Sequence, residues 1–149
     1  MEKINFENLP STSTPINAEN LNQVQTNVEN AINAVVESGS NANGNWIKYA
    51  DGTMECTKVI QVEGADASSA WGSIYYYQDL NEHYFAQEFI SEPTDFQMFF
   101  NTTNSAGCWV GAYGTMIITK SSFKNFALFR PTQNIINGKL YVNAKGRWK

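Results

Sequence analysis

The chain has 149 residues, 42% of them hydrophobic and 13% aromatic, which is enough apolar material to bury the core of one ordinary domain plus an appendage and far too much for a disordered chain. Only 16% of residues are charged and the net charge is -4, so the clustered Lys and Arg excess needed to hold a phosphate backbone is missing and no nucleic-acid partner is expected. No apolar run approaches the roughly 18 residues of a membrane helix, and MEKINFENLP lacks a signal-peptide core, so the expectation is synthesis in a cytoplasm without membrane insertion.

The polar surface is instead built from uncharged groups, with 18 Asn spread along the chain. Residues 1 to about 16 hold Pro10 and Pro15 around the run STST and read as an extended lead-in. A helix then starts with explicit punctuation. Asn17 is a good N-cap, Glu19 sits in the first turn beside the positive dipole end, Ile16 is placed to staple onto Leu21, and Gly39 is the natural stop. Leu21, Val24, Val28, Ala31, Ile32 and Val35 fall at helical spacing on one narrow face between Asn, Gln, Thr and Glu residues. Such a stripe suits either an amphipathic helix lying on its own domain or a short coiled coil. The narrow seam and the following SGSNANGN, which reads as a linker, favour self-association through Leu21, Val24, Val28, Ile32 and Val35. Two heptads are too few to hold a bundle alone, so the next domain must assist. The expected division is 1–40, stalk, and 41–149, head.

After the linker the period changes to two. In GNWIKYADGTMECTK, Asp51-Gly52 is a two-residue turn signal between alternating runs. Counting outward pairs Tyr49 with Met54, Lys48 with Glu55, Ile47 with Cys56 and Trp46 with Thr57. Tyr49, Met54, Ile47 and Cys56 then share a core face, and Lys48 meets Glu55 on the other. Further strands are expected at 73–77, 84–90, 96–102, 108–113, 115–119, 123–130 and 139–144, short and separated by turn-forming runs. The predicted fold class is mainly β: a short N-terminal helix followed by an antiparallel β-sandwich head.

Chemistry is sparse. Cys56 and Cys108 permit one bridge at most and are expected to be free. His83 is the single histidine, and neither a nucleophile elbow, nor zinc or calcium ligand spacing, nor a phosphate loop around GAYG is present, so no catalytic residue, metal or cofactor is expected. Glu82, Glu88, Glu92 and Asp95 invite comparison with a glycosidase carboxylate pair but read better as solvated loop and edge residues. The remaining resource is aromatic. Trp71, Tyr75, Tyr76, Tyr77, Tyr84 and Trp109 lie in or beside segments rich in Ser, Asn, Gln and Asp, a mixture of flat rings and amides suited to sugar, although rings also fill sandwich cores, and the candidate glycan contacts are Trp71, Tyr75, Tyr77, His83 and Trp109. In YYY, period two sends Tyr75 and Tyr77 to one face and Tyr76 to the other.

Three stretches carry a resemblance. INFENLPSTSTPINAENLN resembles the start of small tail proteins of phages and prophages of Gram-positive bacteria. NGNWIKYADGTMECT is similar to the opening of many tail-fibre and baseplate tip domains through Asn43, Gly44, Trp46, Ile47, Lys48, Tyr49, Asp51, Gly52, Thr53, Met54 and Cys56. AKGRWK resembles their terminal strand through Ala144, Gly146, Arg147 and Trp148. Glu55 and Lys145 stand where that pattern usually has apolar residues, which marks an exposed or subunit-facing strand, and residues from about 61 to 127 match only in style. The resemblance implies a homotrimeric receptor-binding protein of the virion tail. Its helices would bundle on an axis, its N-terminal segment would join other tail or baseplate proteins, and its β heads would bind a bacterial cell-surface polysaccharide. A purely structural tail adaptor or cap is the alternative it allows, and a surface-polysaccharide-degrading enzyme the more distant one.

Overall fold

The computed structural model describes residues 18–32, 34–103 and 107–149. Helix α1 (Ala18–Ile32) is followed by ten strands: β1 (Val35–Asn41), β2 (Gly44–Tyr49), β3 (Thr53–Ala67), β4 (Ser69–Trp71), β5 (Ile74–Asp79), β6 (His83–Tyr84), β7 (Asp95–Thr102), β8 (Trp109–Ile118), β9 (Ser122–Arg130) and β10 (Asn134–Arg147). They form two antiparallel sheets, the first in the order β1-β2-β3-β10-β7 and the second in the order β4-β5-β9-β6 with β8 also paired to β9. Met54, Cys56, Phe100, Leu140, Val142 and Ala144 of the first sheet and Phe123, Phe126 and Leu128 of the second close one hydrophobic core between them. This is the antiparallel sandwich with a short preceding helix that the sequence predicts.

β10 shows why the strands sit as they do. In NIINGKLYVNAKGR every second residue from Ile136 to Gly146 is buried, while Lys139, Tyr141, Asn143, Lys145 and Arg147 face out. β3 follows the same rule until a bulge, where Glu63 and Gly64 together oppose Asn137. Gly64 takes a left-handed φ of 65° and donates its N–H to Asn137 Oδ1 at 2.7 Å. The extra residue moves the buried positions of β3 from even (Met54, Cys56, Val62) to odd (Ala65, Ala67), so both halves of a long strand reach the core.

Several expectations are corrected. α1 ends at Ile32, not near Gly39, and Val35 lies in β1, outside the helical seam; Leu21, Val24 and Val28 remain exposed on α1. The supposed linker is the β1–β2 hairpin, so the division at residue 40 falls inside β1. Glu37 draws that strand in: its carboxylate accepts from Lys48 Nζ at 3.0 Å and Trp46 Nε1 at 3.1 Å. Gly39 admits the Trp46 ring, since a Cβ there would collide with Trp46 Cζ2 and Cη2. The Asn17 cap, the Ile16 staple and the lead-in prolines lie outside the described residues.

The β2–β3 register is one residue from the expected one. Lys48 faces Met54, Ile47 faces Glu55 and Trp46 faces Cys56. The loop has three residues, Ala50 to Gly52, because Asp51 accepts the Thr53 N–H at 2.7 Å and Gly52 N–H bonds to Tyr49 O at 3.0 Å with Gly52 at φ 90°. A one-residue slip exchanges faces. Trp46, not Ile47, packs on the core, and the expected Lys48–Glu55 pair is replaced by Lys48–Glu37 at 3.0 Å and Lys145–Glu55 at 3.2 Å. Of 84–90 only the first residue is a strand, yet Phe85 and Phe89 are buried and their N–H groups are taken by Ser121 O and Lys120 O.

The sandwich has two distinct ends. Ala34 O accepts from Ala50 N–H at 2.9 Å, and Trp148 donates its backbone N–H to Gly52 O and its indole N–H to Tyr49 O, each at 3.0 Å. The exit of α1, the β2–β3 turn and the end of β10 therefore share one end. Ala67, opposite Asn134, marks the other, at the far side of a 15-residue β3 that spans roughly 45–50 Å.

Candidate functional site

The second sheet turns its inner face to the core and carries rings on its outer face. Tyr75 pairs with Arg130, Tyr76 with Phe129 and Tyr77 with Leu128. Leu128 is a core residue, so period two sends Tyr75 and Tyr77 inward, where both pack half-buried on the core, and sends Tyr76 and Phe129 outward. Trp109 of β8 pairs with Phe129 from the other side. The result is an in-register row of three rings across three strands, Tyr76–Phe129–Trp109, with both centroid separations 6.1 Å and the indole nearly parallel to Phe129 at 20°.

Trp71 completes the shelf. It ends β4 just before the Gly72-Ser73 turn, with Gly72 at φ 62°, and lies 6.4 Å from Phe129. Phe129 is only 5% exposed, whereas Trp71 is 62% and Trp109 46% exposed. Phe129 is thus the floor, and the two indoles present ring surface to solvent. Gly111 leaves room for that floor, since a Cβ there would stand 3.3 Å from Phe129 Cε2. Farther along the same face Gln78 Nε2 donates to Asn125 Oδ1 at 2.6 Å, and Asn125 in turn donates to Thr115 O at 2.6 Å. Asn125 has a left-handed φ of 67°, and the irregularity it marks resets the alternation of β9 so that Phe123, Phe126 and Leu128 all reach the core. The shelf lies at the end of the sandwich away from α1, beside the Ala67–Asn134 pair.

Of the five aromatic or ring residues proposed from sequence, Trp71 and Trp109 are therefore brought together, and Tyr75, Tyr77 and His83 are not on this face. His83 Nε2 lies 3.2 Å from Asp79 Oδ2, and its ring stacks on Phe123 at 5.3 Å. Burial pushes the Asp79 carboxyl up, but the bonds from His83 and from Asn81 N–H outweigh it and hold the group below its ordinary value. Burial pushes the Tyr77 phenol up, with Asp79 adding to it. Tyr76 is among the rings the sequence offers but not among its five candidates, and Phe129 is the residue sequence reasoning missed. The middle ring of YYY and the alternation in FALFR were the available signals.

Other reactive groups have local partners. Glu88 pairs with Lys120 at 2.6 Å, Glu82 accepts from Ser122 Oγ at 2.7 Å and Tyr84 OH at 3.0 Å, and Asp95 accepts from Gln97. Both cysteines are free thiols. Burial pushes Cys108 up to about 11, only partly offset by Arg130. Among the described residues no group of three His, Cys, Asp or Glu is placed to hold a metal ion, and no helix is long and apolar enough to cross a membrane.

No protein-family model matches the chain, and no curated protein matches it. Two solved structures do. A P. aeruginosa R1 pyocin fibre comprising C-terminal residues 323–701 aligns over 82% of this chain and 30% of its own length, with a TM-score of 0.51 and 14% identity. An N-truncated R1-type pyocin tail fibre aligns over 84% of this chain and 94% of its own, with the same TM-score and identity. The chain thus spans under a third of the first and nearly all of the second. At this identity the likeness is one of fold.

Proposed function

We propose that the chain is a tail-fibre or baseplate component of a phage or phage-like particle, and that it attaches the particle to a bacterial cell-surface glycan without turning it over. The observation that carries this reading is the Tyr76–Phe129–Trp109 row with Trp71 beside it, whose two indoles are exposed at the end of the sandwich opposite α1. Indole faces stack on the apolar faces of sugar rings, and a surface that leaves two tryptophans open costs a lone soluble protein solubility unless a ligand uses them. The fold shared with tail-fibre fragments supports the same assignment.

In this reading α1 associates as a homotrimer through Leu21, Val24 and Val28, three apolar side chains left exposed on one helix. Three shelves on one axis convert a weak single-site affinity into firm attachment. The N-terminal segment joins the chain to other tail proteins.

The test is pull-down of the full chain with envelope polysaccharide fractions from a panel of bacteria, paired with light scattering. Expected are binding to at least one fraction, its loss in Trp71→Ala and Trp109→Ala, and a trimeric mass. Wild-type binding unchanged in both variants removes the shelf, and a monomeric mass removes the trimer. A structural adaptor that touches no host, the competing assignment, is supported if no fraction binds and labelled chains localise to an inner tail position.

A further inference from the structure

The outer face of the first sheet also carries one apolar row, and its composition differs from that of a protein interface. Val59, Tyr141 and Phe99 stand in register across β3, β10 and β7, with exposures of 56%, 41% and 66%. The Phe99 and Tyr141 rings are 6.4 Å apart and inclined by 39°. One step along the strands, Thr57, Asn143 and Gln97 form the next row across the same three strands. The two rows border a shallow hollow of about 280 Å³. Its size is near the lower end of the range for small-ligand sites.

The polar row is uncommitted. Among the described residues neither the Thr57 hydroxyl nor the Asn143 amide makes a side-chain hydrogen bond. Gln97 spends its amide nitrogen on Asp95, at 3.1 Å, which leaves its carbonyl as an acceptor. A tilted ring pair beside a free hydroxyl, a free amide and a free carbonyl matches one sugar ring, apolar on its face and hydroxylated on its edge.

The extent of the row decides against a second copy of the chain as occupant. At the exposures above, Val59, Tyr141 and Phe99 together offer on the order of 300 Å² of accessible surface. A stable protein interface takes about 800 Å² from each partner. The flanking rows carry both signs, with Lys139 exposed beyond the apolar row, and Glu55 and Lys145 paired at 3.2 Å beside Asp95 beyond the polar row. The charges balance, and the side chains of the two rows that border the hollow itself are uncharged, which suits a neutral ring.

We infer that this face is a second saccharide subsite, distinct from the shelf on the opposite sheet, and that it takes a neutral sugar ring on Phe99 and Tyr141 with its hydroxyls on Thr57, Gln97 and Asn143. It stands whether or not the shelf binds glycan.

The experiment is titration of the isotope-labelled full chain with neutral probes, namely galactose, maltotriose and tri-N-acetylglucosamine, read by amide chemical shifts. Saturable shifts are expected at Gln97, Phe99, Tyr141 and Asn143 with at least one probe. Phe99→Ala and Tyr141→Ala should each raise Kd for that probe by roughly three- to tenfold, while Trp109→Ala leaves these shifts in place. Both side chains are substantially exposed, so the variants keep the fold, checked by far-ultraviolet circular dichroism. Absence of shifts at these residues with all three probes, or shifts indifferent to Phe99→Ala, overturns the inference. So does a change in molar mass of the Phe99→Ala chain, which would give the face to a second copy.

Discussion

Leu128 and Phe129 are chain neighbours, 0% and 5% exposed, yet they face opposite sides of the second sheet. Replacing each by Ala separates core from shelf. Leu128→Ala opens a hole sealed by both sheets, and such truncations cost 2–5 kcal/mol, so about 3.5 kcal/mol is expected. Phe129→Ala removes the larger side chain, but its cover is Tyr76 and two indoles that are 62% and 46% exposed, one of them on a three-residue strand. Those rings can sink into the space and water can follow, so no closed cavity persists. The transfer of one Phe, about 1.5–3 kcal/mol, then sets the cost near 2 kcal/mol. With a urea slope of about 2 kcal/mol per molar, the midpoint falls by about 1.7 M for Leu128→Ala and about 1 M for Phe129→Ala. The assay is urea unfolding followed by circular dichroism at fixed protomer concentration, because association adds stability by mass action. Tryptophan emission is the second readout, expected to move with Phe129→Ala and to stay with Leu128→Ala. A midpoint loss for Phe129→Ala equal to or above that for Leu128→Ala would show that Phe129 belongs to the sealed core and would refute the shelf geometry.

Three further outcomes are expected. Asp79 is held below its ordinary value of 3.8, so its contribution to stability is full above about pH 5 and is lost as pH falls through 3.8 toward the depressed value. Acid titration of Asp79→Asn should show a flatter stability profile in that window, and an unchanged profile contradicts the stabilisation of the Asp79 carboxylate by its bonds from His83 and Asn81. Gly138→Ala should cost about 3 kcal/mol in a thermal melt, since the added carbon meets Asn101 O, Phe100 Cζ at 2.8 Å and Thr102 Cα at 2.9 Å, whereas Gly64→Ala enters open space and should cost only about 1 kcal/mol for its left-handed backbone. At pH 8 a thiol near 11 is ionised to the order of one part in a thousand, so Cys108 in the folded chain should resist iodoacetamide and react on addition of urea.

The legible parts of the fold were those set by local periodicity. In NIINGKLYVNAKGR alternation alone divides core from surface, whereas in FKNFALFR the irregularity at Asn125 breaks the alternation between Phe123 and Phe126, and Phe129 faces away from the core. Pairing was harder to read. Nothing local announces that Asp51 will bind the Thr53 N–H and make a three-residue loop, yet that one bond moves Ile47 out and Trp46 in. SGSN has a linker's composition, and becomes a strand because in the folded hairpin Glu37 meets Trp46 and Lys48, nine and eleven residues on, and Gly39 meets Trp46, seven residues on. At the candidate site, Trp71 and Trp109 were legible as ring-bearing residues of the right kind. The face was not, because YYY fixes which tyrosines share a side but only the pairing with Leu128 and Phe129 says which side is water.

The separation of the two ends of the sandwich has a mechanical meaning. If a particle holds this chain through α1 while a cell pulls on the ring-bearing end, the load runs along the axes of β3 and β10. Those strands are joined over nearly their whole length, from Thr53–Arg147 to Ala67–Asn134. Tension along paired strands loads their hydrogen bonds together, in shear, instead of opening them one after another as a zipper opens. A head pulled in this direction should hold far greater force than the same head pulled across its sheets, and tethering through residue 34 and residue 71, compared with residue 34 and residue 95 on the opposite edge strand near the same end, would read the difference in a single-molecule trap.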